Sequence, residues 1–392
     1  MSLESIVKKI NKDYGDAIFL GDLPEIERIP FSSPSANYVT RGGIAYGRSV
    51  EFVGAESSGK TTLAIDTIKS VQKIEKKRYE DKKASLEEKL ANPKLKDKDK
   101  AKLQEELDGL AERVVFYMDL EQTFDPIWAR KNGVDTDKMY LFRVPYTSVE
   151  PHLDTLLDLV ATGQIAQVVI DSIGAMVSDA EFDGDIGKGN FGGVSKALTK
   201  FYKKMIPLIA VHNVSLVVLN HTKQDMSGYN QLVRPGGNMN KFAQTLVLEL
   251  RPGEKFEKNY GKGSGNSELV YAKRTVIRVN KNKMANADRQ IGFYTIKMGA
   301  GIDAAADAVD LAIALGEDLN LVTQSGAWFQ IFHPKTGELV LKAQGKGAVI
   351  KRIQEDPELF QLLWDTLYDI AIKDEFDPNE MYGTAHLEEI EE

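Results

Sequence analysis

Eight consecutive residues, Gly54 to Thr61 (GAESSGKT), follow the apolar run SVEFV and precede a helical pattern. A strand, a glycine-rich turn and a helix start in that order make the phosphate-binding Walker A loop. The residue types follow from the chemistry. Gly54 and Gly59 let the amide N–H groups of Glu56, Ser57, Ser58 and their neighbours turn inward around a phosphate chain. The helix start at Lys60 adds partial positive charge at the same point. Lys60 then reaches the β- and γ-phosphates, the Thr61 hydroxyl is placed to ligand Mg²⁺, and Thr62 completes the turn. The motif predicts binding of a nucleoside triphosphate.

A second group lies at strand ends. QVVIDS (Gln167–Ser172) is an apolar strand closing on Asp171, which at the C-terminal edge of a parallel sheet would hold Mg²⁺ beside the phosphate loop. Glu121, just past the run VVFYMDL, could orient or deprotonate an attacking water. Asp125 and Trp128, three apart at a helix start, share a face. The indole could stack on a purine while Asp125 accepts from its edge. On spacing alone, a helix-capping acid and a core tryptophan explain the pair better.

These residues need a scaffold. Near-continuous apolar runs at Ser49–Val53, Val114–Leu120, Tyr140–Val144, Gln167–Ile170 and Ser215–Leu219 alternate with helical stretches, the α/β signature of a mainly parallel sheet. Leu246–Leu250, Thr275–Val279 and Gly292–Met298 follow without long helices and are expected as antiparallel additions at one edge. Residues 73–113 break the rhythm. They are dense in Lys and Glu, with a seam of Leu86, Leu90, Leu103, Leu107 and Leu110 and a turn at Asn92-Pro93, which reads as a protruding helical hairpin. Leu3, Ile6, Val7 and Ile10 make the N-terminus an amphipathic helix, with no signal-peptide or membrane-span pattern. The 392 residues contain no cysteine, which fits a reducing cytoplasm and excludes Cys-ligated zinc. A net charge of −8 argues against a surface that coats nucleic acid everywhere, and leaves room for local basic loops.

The motifs GAESSGKTT, DLEQTFDPIWARKNGVD, VVIDSIGAMVSDAEFDGDIG, LNHTK, GGNMNKF, NKNKMA, GAGID and SGAWF occur in this order. Together they resemble the bacterial RecA recombinases over almost the whole chain. The resemblance implies a RecA-like P-loop ATPase core (46–300). An N-terminal oligomerisation helix and strand (1–45) would precede it, and a small C-terminal α/β domain with an acidic tail (301–392) would follow. It implies ATP and Mg²⁺ as cofactors and a homo-oligomeric helical filament on single- and double-stranded DNA, with single-strand-binding and mediator proteins as candidate partners. It implies that Glu121 is the catalytic glutamate and that Asp125 and Trp128 contact adenine. A first DNA loop would run from about Asp183 to Gly192, with Phe191 as a wedge and Lys196 where the family has arginine. A second would run from about Lys223 to Gly237, with Lys223, Arg234, Gly236 and Gly237. Lys281 and Lys283, two apart on a strand and so on one side of it, would reach the neighbouring subunit's ATP.

Two features depart from the bacterial pattern. His221 stands where glutamine is usual for sensing the γ-phosphate, and Asn220-His221-Thr222 looks more like the recombinases of large phages such as UvsX. Histidine keeps the donor role and would make it pH-dependent. The charged hairpin is also foreign to the pattern. The phosphate motifs alone would equally suit a hexameric helicase or an ATP-binding regulatory assembly without DNA. GAGID and SGAWF favour the recombinase.

Overall fold

The computed structural model describes residues 2–14, 25–185, 192–224, 232–260, 267–286, 288–315, 321–333 and 336–373. The first helix, α1 (Leu3–Tyr14), leaves Leu3 and Ile6 exposed. Strand β1 (Arg28–Ile29) pairs antiparallel with β2 (Ile44–Ala45) around helix α2 (Pro34–Thr40), whose start is capped by Ser33. Ile29, Phe31, Val39 and Ile44 are buried in the main core, so residues 28–45 fold as part of that core.

The parallel sheet is built from β3 (Ser49–Gly54), β4 (Val114–Asp119), β5 (Met139–Arg143), β6 (Ile165–Asp171) and β7 (Ser215–His221), in the order β3-β7-β6-β4-β5. Helix α3 (Lys60–Leu90) covers one face through Leu63, Ile65 and Ile68, and α4 (Asp97–Asp108) and α5 (Pro126–Lys131) follow it in the chain. The other face is covered by α6 (Glu150–Ala161) and, after the short α7 (Asp179–Phe182), by α8 (Gly193–Val211), through Leu156, Leu198 and Phe201. Covering both faces explains why these strands read as continuous apolar runs.

Beyond β7 come a two-stranded ribbon, β8 (Lys223–Gln224) with β9 (Leu232–Val233), and helix α9 (Gly237–Ala243). Then β10 (Leu246–Tyr260), β11 (Ser267–Asn282), β12 (Ile291–Lys297) and β13 (Gly301–Ile302) extend the sheet to nine strands. The expected antiparallel edge begins one strand later than the sequence suggests, because β10 runs parallel to β3 and only β11 reverses direction. Helix α10 (Ala304–Ala314) leads to a three-stranded antiparallel sheet of β14 (Val322–Ser325), β15 (Trp328–Phe332) and β16 (Leu339–Gln344), followed by α11 (Lys346–Glu355) and α12 (Pro357–Ile372). This module has its own core of Val309, Ile331, Val349 and Leu367, and it joins the main body where the Trp364 indole donates to Ser32 O at 3.2 Å. The acidic tail read from the sequence, 374–392, lies outside the described residues.

The charged segment is a hairpin, but it is not separate from the core. Its first arm is the distal half of α3, a single 31-residue helix that begins at the phosphate-loop lysine. Nothing in the sequence interrupts helix formation from Lys60 to Leu90, so the arm continues instead of restarting. Leu86 is buried in the seam against α4, and Lys82 pairs with Glu106 across the arms at 3.0 Å. At the base the buried Glu75 is clamped by Arg113 (2.9 and 2.7 Å) and Arg78 (2.5 Å) and accepts from the Tyr46 hydroxyl at 2.8 Å. No helix among the described residues is long and apolar enough to cross a membrane.

Candidate active site and nucleic-acid interface

The register of the parallel strands brings the chemistry together. Gly54 on β3 lies opposite His221 on β7, and Asp119 on β4 opposite Asp171 on β6, all at the C-terminal ends of their strands. A cleft of about 270 Å³ opens there, lined by Glu56, Ser57, Ser58, Gly59, Lys60, Thr61, Thr62, Glu121, Asp171, His221 and Lys273. The two loop glycines serve different ends. Gly59 has φ +101°, left-handed backbone that side chains resist, and a Cβ there would lie 2.4 Å from the Tyr294 hydroxyl. Gly54 has no such φ. It is needed for space, since its Cβ would sit 2.4 Å from Leu250 O.

Lys60 is buried and donates to Gly54 O (3.0 Å) and Ala55 O (2.8 Å). Burial lowers its ammonium pKa, against the opposing pull of Asp171, Glu121 and Glu56. Asp171 is buried and pushed up to about 6, chiefly by desolvation, although Tyr117 (2.6 Å) and Thr61 (3.2 Å) donate to it. The Thr61 hydroxyl and the Asp171 carboxylate offer two hard oxygens. No cluster of three or more His, Cys, Asp or Glu suited to a metal occurs among the described residues. Hard oxygens such as these two fit Mg²⁺, which binds through few protein oxygens and takes the rest from phosphate and water. The buried Ser58 Oγ, without a hydrogen-bond partner, adds a polar atom at the loop.

Glu121 is held from two sides. Ser172 donates to its Oε1, and His221 Nε2 lies 2.9 Å from the same oxygen. Burial raises this carboxyl, but the bonds from Ser172 and His221 and the charges of His221 and Lys60 outweigh burial and hold it below its usual range. An ionised carboxylate beside the phosphate loop is suited to orient water. The Nδ1 of His221 is 3.5 Å from Lys60 Nζ. Ring Nε2 donates to Glu121, and Nδ1 is the atom turned toward the Lys60 ammonium.

The residue before His221 starts a buried polar network. Asn220 donates to Glu51 (2.8 Å) and to Pro235 O (2.9 Å). Glu51, fully buried in the middle of β3, also accepts from Asn240 and from Arg234, each at 2.8 Å. Asn240 accepts from the Tyr202 hydroxyl of α8 at 2.7 Å. The phosphate-facing strand is thereby tied to the stem of the second loop and to the helix that follows the first. Arg234 is occupied by Glu51. Gly236 and Gly237 have φ +100° and +72° where the chain turns into α9, and a Cβ on Gly237 would meet Ser195 Oγ at 2.9 Å. Lys196 is exposed on the first turn of α8. Phe191 and the Lys223 side chain lie outside the described residues.

Asp125 caps α5, accepting from Ile127 N (2.8 Å) and Trp128 N (3.2 Å), and Trp128 packs partly on the core. Neither lines the phosphate cleft. Lys281 closes β11 with Asn282, and Lys283 lies just past the strand end, so strand alternation does not align the two. They are neighbours nonetheless. Burial lowers the Lys281 ammonium, and the positive charges of Lys283 and Arg234 lower it further. Lys281 Nζ donates to Lys241 O at 2.6 Å, and neither lysine lines the chain's own phosphate cleft. Sequence reasoning missed Ser172, Tyr117, Lys273 and Glu51. The last had a readable signal, an acid in the centre of a strand otherwise apolar on both faces.

A family profile for the RecA N-terminal domain matches residues 1–96 and 101–303, with its interruption at the hairpin tip. The chain is similar to Protein RecA of Acholeplasma laidlawii, 30% identical over 369 residues that span 92% of this chain and 94% of that one. It is 29% identical over 344 residues to Protein RecA of Ruminococcus albus, spanning 86% and 73%. Protein RecA of Bacteroides thetaiotaomicron is 26% identical over 379 residues, spanning 95% and 97%.

Proposed function

The chain belongs to the RecA family of DNA-dependent ATPases that recombine and repair DNA from a filament, and we propose which of its residues carry each step. ATP is held by the loop from Gly54 to Thr62, with Lys60 on its terminal phosphates and Thr61 and Asp171 on Mg²⁺. The ion, when bound, neutralises charge on the phosphates. Glu121 orients the attacking water and takes its proton, held ready by Ser172 and His221. Asp125 and Trp128 flank the adenine. Lys281 and Lys283 act on the ATP of the adjoining subunit, in keeping with their absence from the lining of their own cleft. The DNA contacts are Phe191, Lys196, Lys223, Gly236 and Gly237, on two loops that bind phosphates with little regard to sequence, while Arg234, read from the sequence as a further contact, is held by Glu51 and anchors the stem of the second loop. The same reading places the protein in the cytoplasm with its DNA and adds single-strand-binding and mediator proteins as partners.

The observation that carries this assignment is the chain of contacts from Lys60 through His221 to Glu121, continued by Asn220 to the stem of the second loop. Two adjacent residues of one strand face the phosphate site and the DNA side. A change in what Lys60 and His221 contact is therefore passed to the loop without an intermediary element. The test is ATP turnover with and without single-stranded DNA. Wild type should be stimulated, and Asn220→Ala should keep nucleotide binding while losing most of the stimulation. Equal stimulation in both proteins would remove Asn220 from the coupling.

A further inference from the structure

The hairpin separates its charges. Along the stem acids and bases pair, as in Lys82 with Glu106, Lys76 with Glu80 and Lys83 with Glu87. Residues 89–102, which form the tip, hold six lysines against Asp97 and Asp99, a net of +4 on a chain of net −8. Lys89, Lys94, Lys96, Lys98, Lys100 and Lys102 are all exposed, and none is in an ion pair with another described residue. The tip is held at a fixed place. Helix α3 runs unbroken from the phosphate loop for roughly 45 Å at about 1.5 Å per residue, and the Glu75–Arg113–Arg78 clamp fixes its emergence from the core.

We propose that this tip is a docking site for the phosphate backbone of duplex DNA, additional to the two loops. Three features select that occupant. Lysines alone are point charges that attract phosphate and read no base. There is no aromatic residue from 80 to 113, so the tip lacks the stacking platform that single strands use, whereas a duplex keeps its base faces stacked inside and presents its phosphates along the outside. Leu90 and Leu95, the large apolar residues at the tip, are half-buried, which leaves no exposed large apolar centre of the sort a protein partner requires. In a filament every subunit would contribute one tip, so weak contacts would add along the duplex. The proposal rests on the recombinase reading, in which a second DNA must be captured.

The experiment replaces Lys94, Lys96, Lys98, Lys100 and Lys102 together with glutamine, and in a second variant with arginine. Binding to a labelled mixed-sequence duplex and to a single strand of equal length is measured across a salt series, with helix content checked by circular dichroism. Each lost phosphate contact reduces the log–log salt slope by ~0.9 on duplex. The glutamine variant should lose about two to four units of that slope and about tenfold or more in duplex affinity. Its single-strand binding and single-strand-stimulated ATPase should be unchanged, and the arginine variant should bind duplex like wild type. An unchanged duplex slope in a folded glutamine variant overturns the proposal, as it would if the tip served an acidic protein. Equal losses on both DNAs overturn the assignment to duplex. Absence of DNA-stimulated ATPase in wild type would instead strike the recombinase reading, which keeps the two failures distinct.

Discussion

His221 places one ring nitrogen 2.9 Å from Glu121 Oε1 and the other 3.5 Å from Lys60 Nζ, so a single side chain bridges the carboxylate proposed to orient water and the ammonium proposed to bind phosphate. Replacing it with alanine removes a bond to a charged carboxylate, worth about 1.5–3 kcal/mol, or roughly 10- to 100-fold in rate if expressed in the transition state. His221→Ala should therefore lower DNA-stimulated kcat by that factor while fluorescent-nucleotide affinity stays close to wild type. A loss confined to affinity would show that the histidine binds nucleotide and does not position Glu121.

The hairpin base gives a stability prediction. Arg113→Ala leaves Glu75 buried with Arg78 as its remaining charged partner, and breaking a buried pair of this kind costs on the order of 3 kcal/mol. Chemical denaturation should show a lower midpoint with an unchanged slope. A midpoint equal to wild type would mean that Arg78 and Tyr46 suffice.

How far these features were legible in the sequence depends on their range. Lys60 and Thr61 could be placed because they open the helix after a readable strand and glycine turn, and Asp171 because it closes a readable apolar strand; parallel pairing then dictates convergence. Glu121 was a candidate from its place just past a strand end, and the resemblance singled it out, but its partner Ser172 could not be seen because their contact depends on how two loops fold over the sheet edge. The hairpin was visible from charge and leucine spacing. Its continuity with the phosphate-loop helix was not, because the change from core-facing to solvent-facing composition near Lys76 looks the same whether a helix ends or emerges. Arg234 was read as a free basic residue, and only the depth of Glu51 in the sheet explains its ion pair.

Asp307 supplies a pH test of the joint between the core and the C-terminal module. Burial pushes its carboxyl from an ordinary 3.8 up to about 7, against the lowering influence of hydrogen bonds from Ser33 and Thr295 and the charge of Arg274. A folded-state pKa above the unfolded value means that the native state holds the proton more tightly. Its contribution to stability is thus full below about 4 and is lost as pH rises toward 7. Asp307→Asn should remove that decline between pH 4 and 7 in thermal melts. An identical slope in both proteins would exclude Asp307 as its source.

Cross-subunit action of Lys281 and Lys283 can be tested by mixing. Lys60→Ala and Lys281→Ala/Lys283→Ala should each be nearly inactive. Co-assembled at equal concentrations on single-stranded DNA, they regain an intact interface at about a quarter of positions in a head-to-tail assembly. ATPase activity should return to a modest fraction of wild type and rise with protein concentration. No gain over the separate proteins, with co-assembly confirmed by crosslinking, would place the lysines outside the neighbour's site.

The central claim is that ATP turnover at Lys60 and Glu121 powers strand exchange, and the most direct measurement follows both in one reaction. Wild type, Lys60→Ala and Glu121→Gln are each given a circular single strand and its homologous linear duplex with ATP and Mg²⁺, and turnover and joint products are monitored together. Loss of a positioned charge stabiliser costs ~10²–10³ in rate, and loss of a general base ~10²–10⁴. Wild type should hydrolyse ATP in a DNA-dependent manner and complete exchange. Glu121→Gln should bind ATP and DNA and form paired intermediates that fail to resolve, and Lys60→Ala should do neither. Wild-type turnover in either variant, or completed exchange without turnover, would contradict the account.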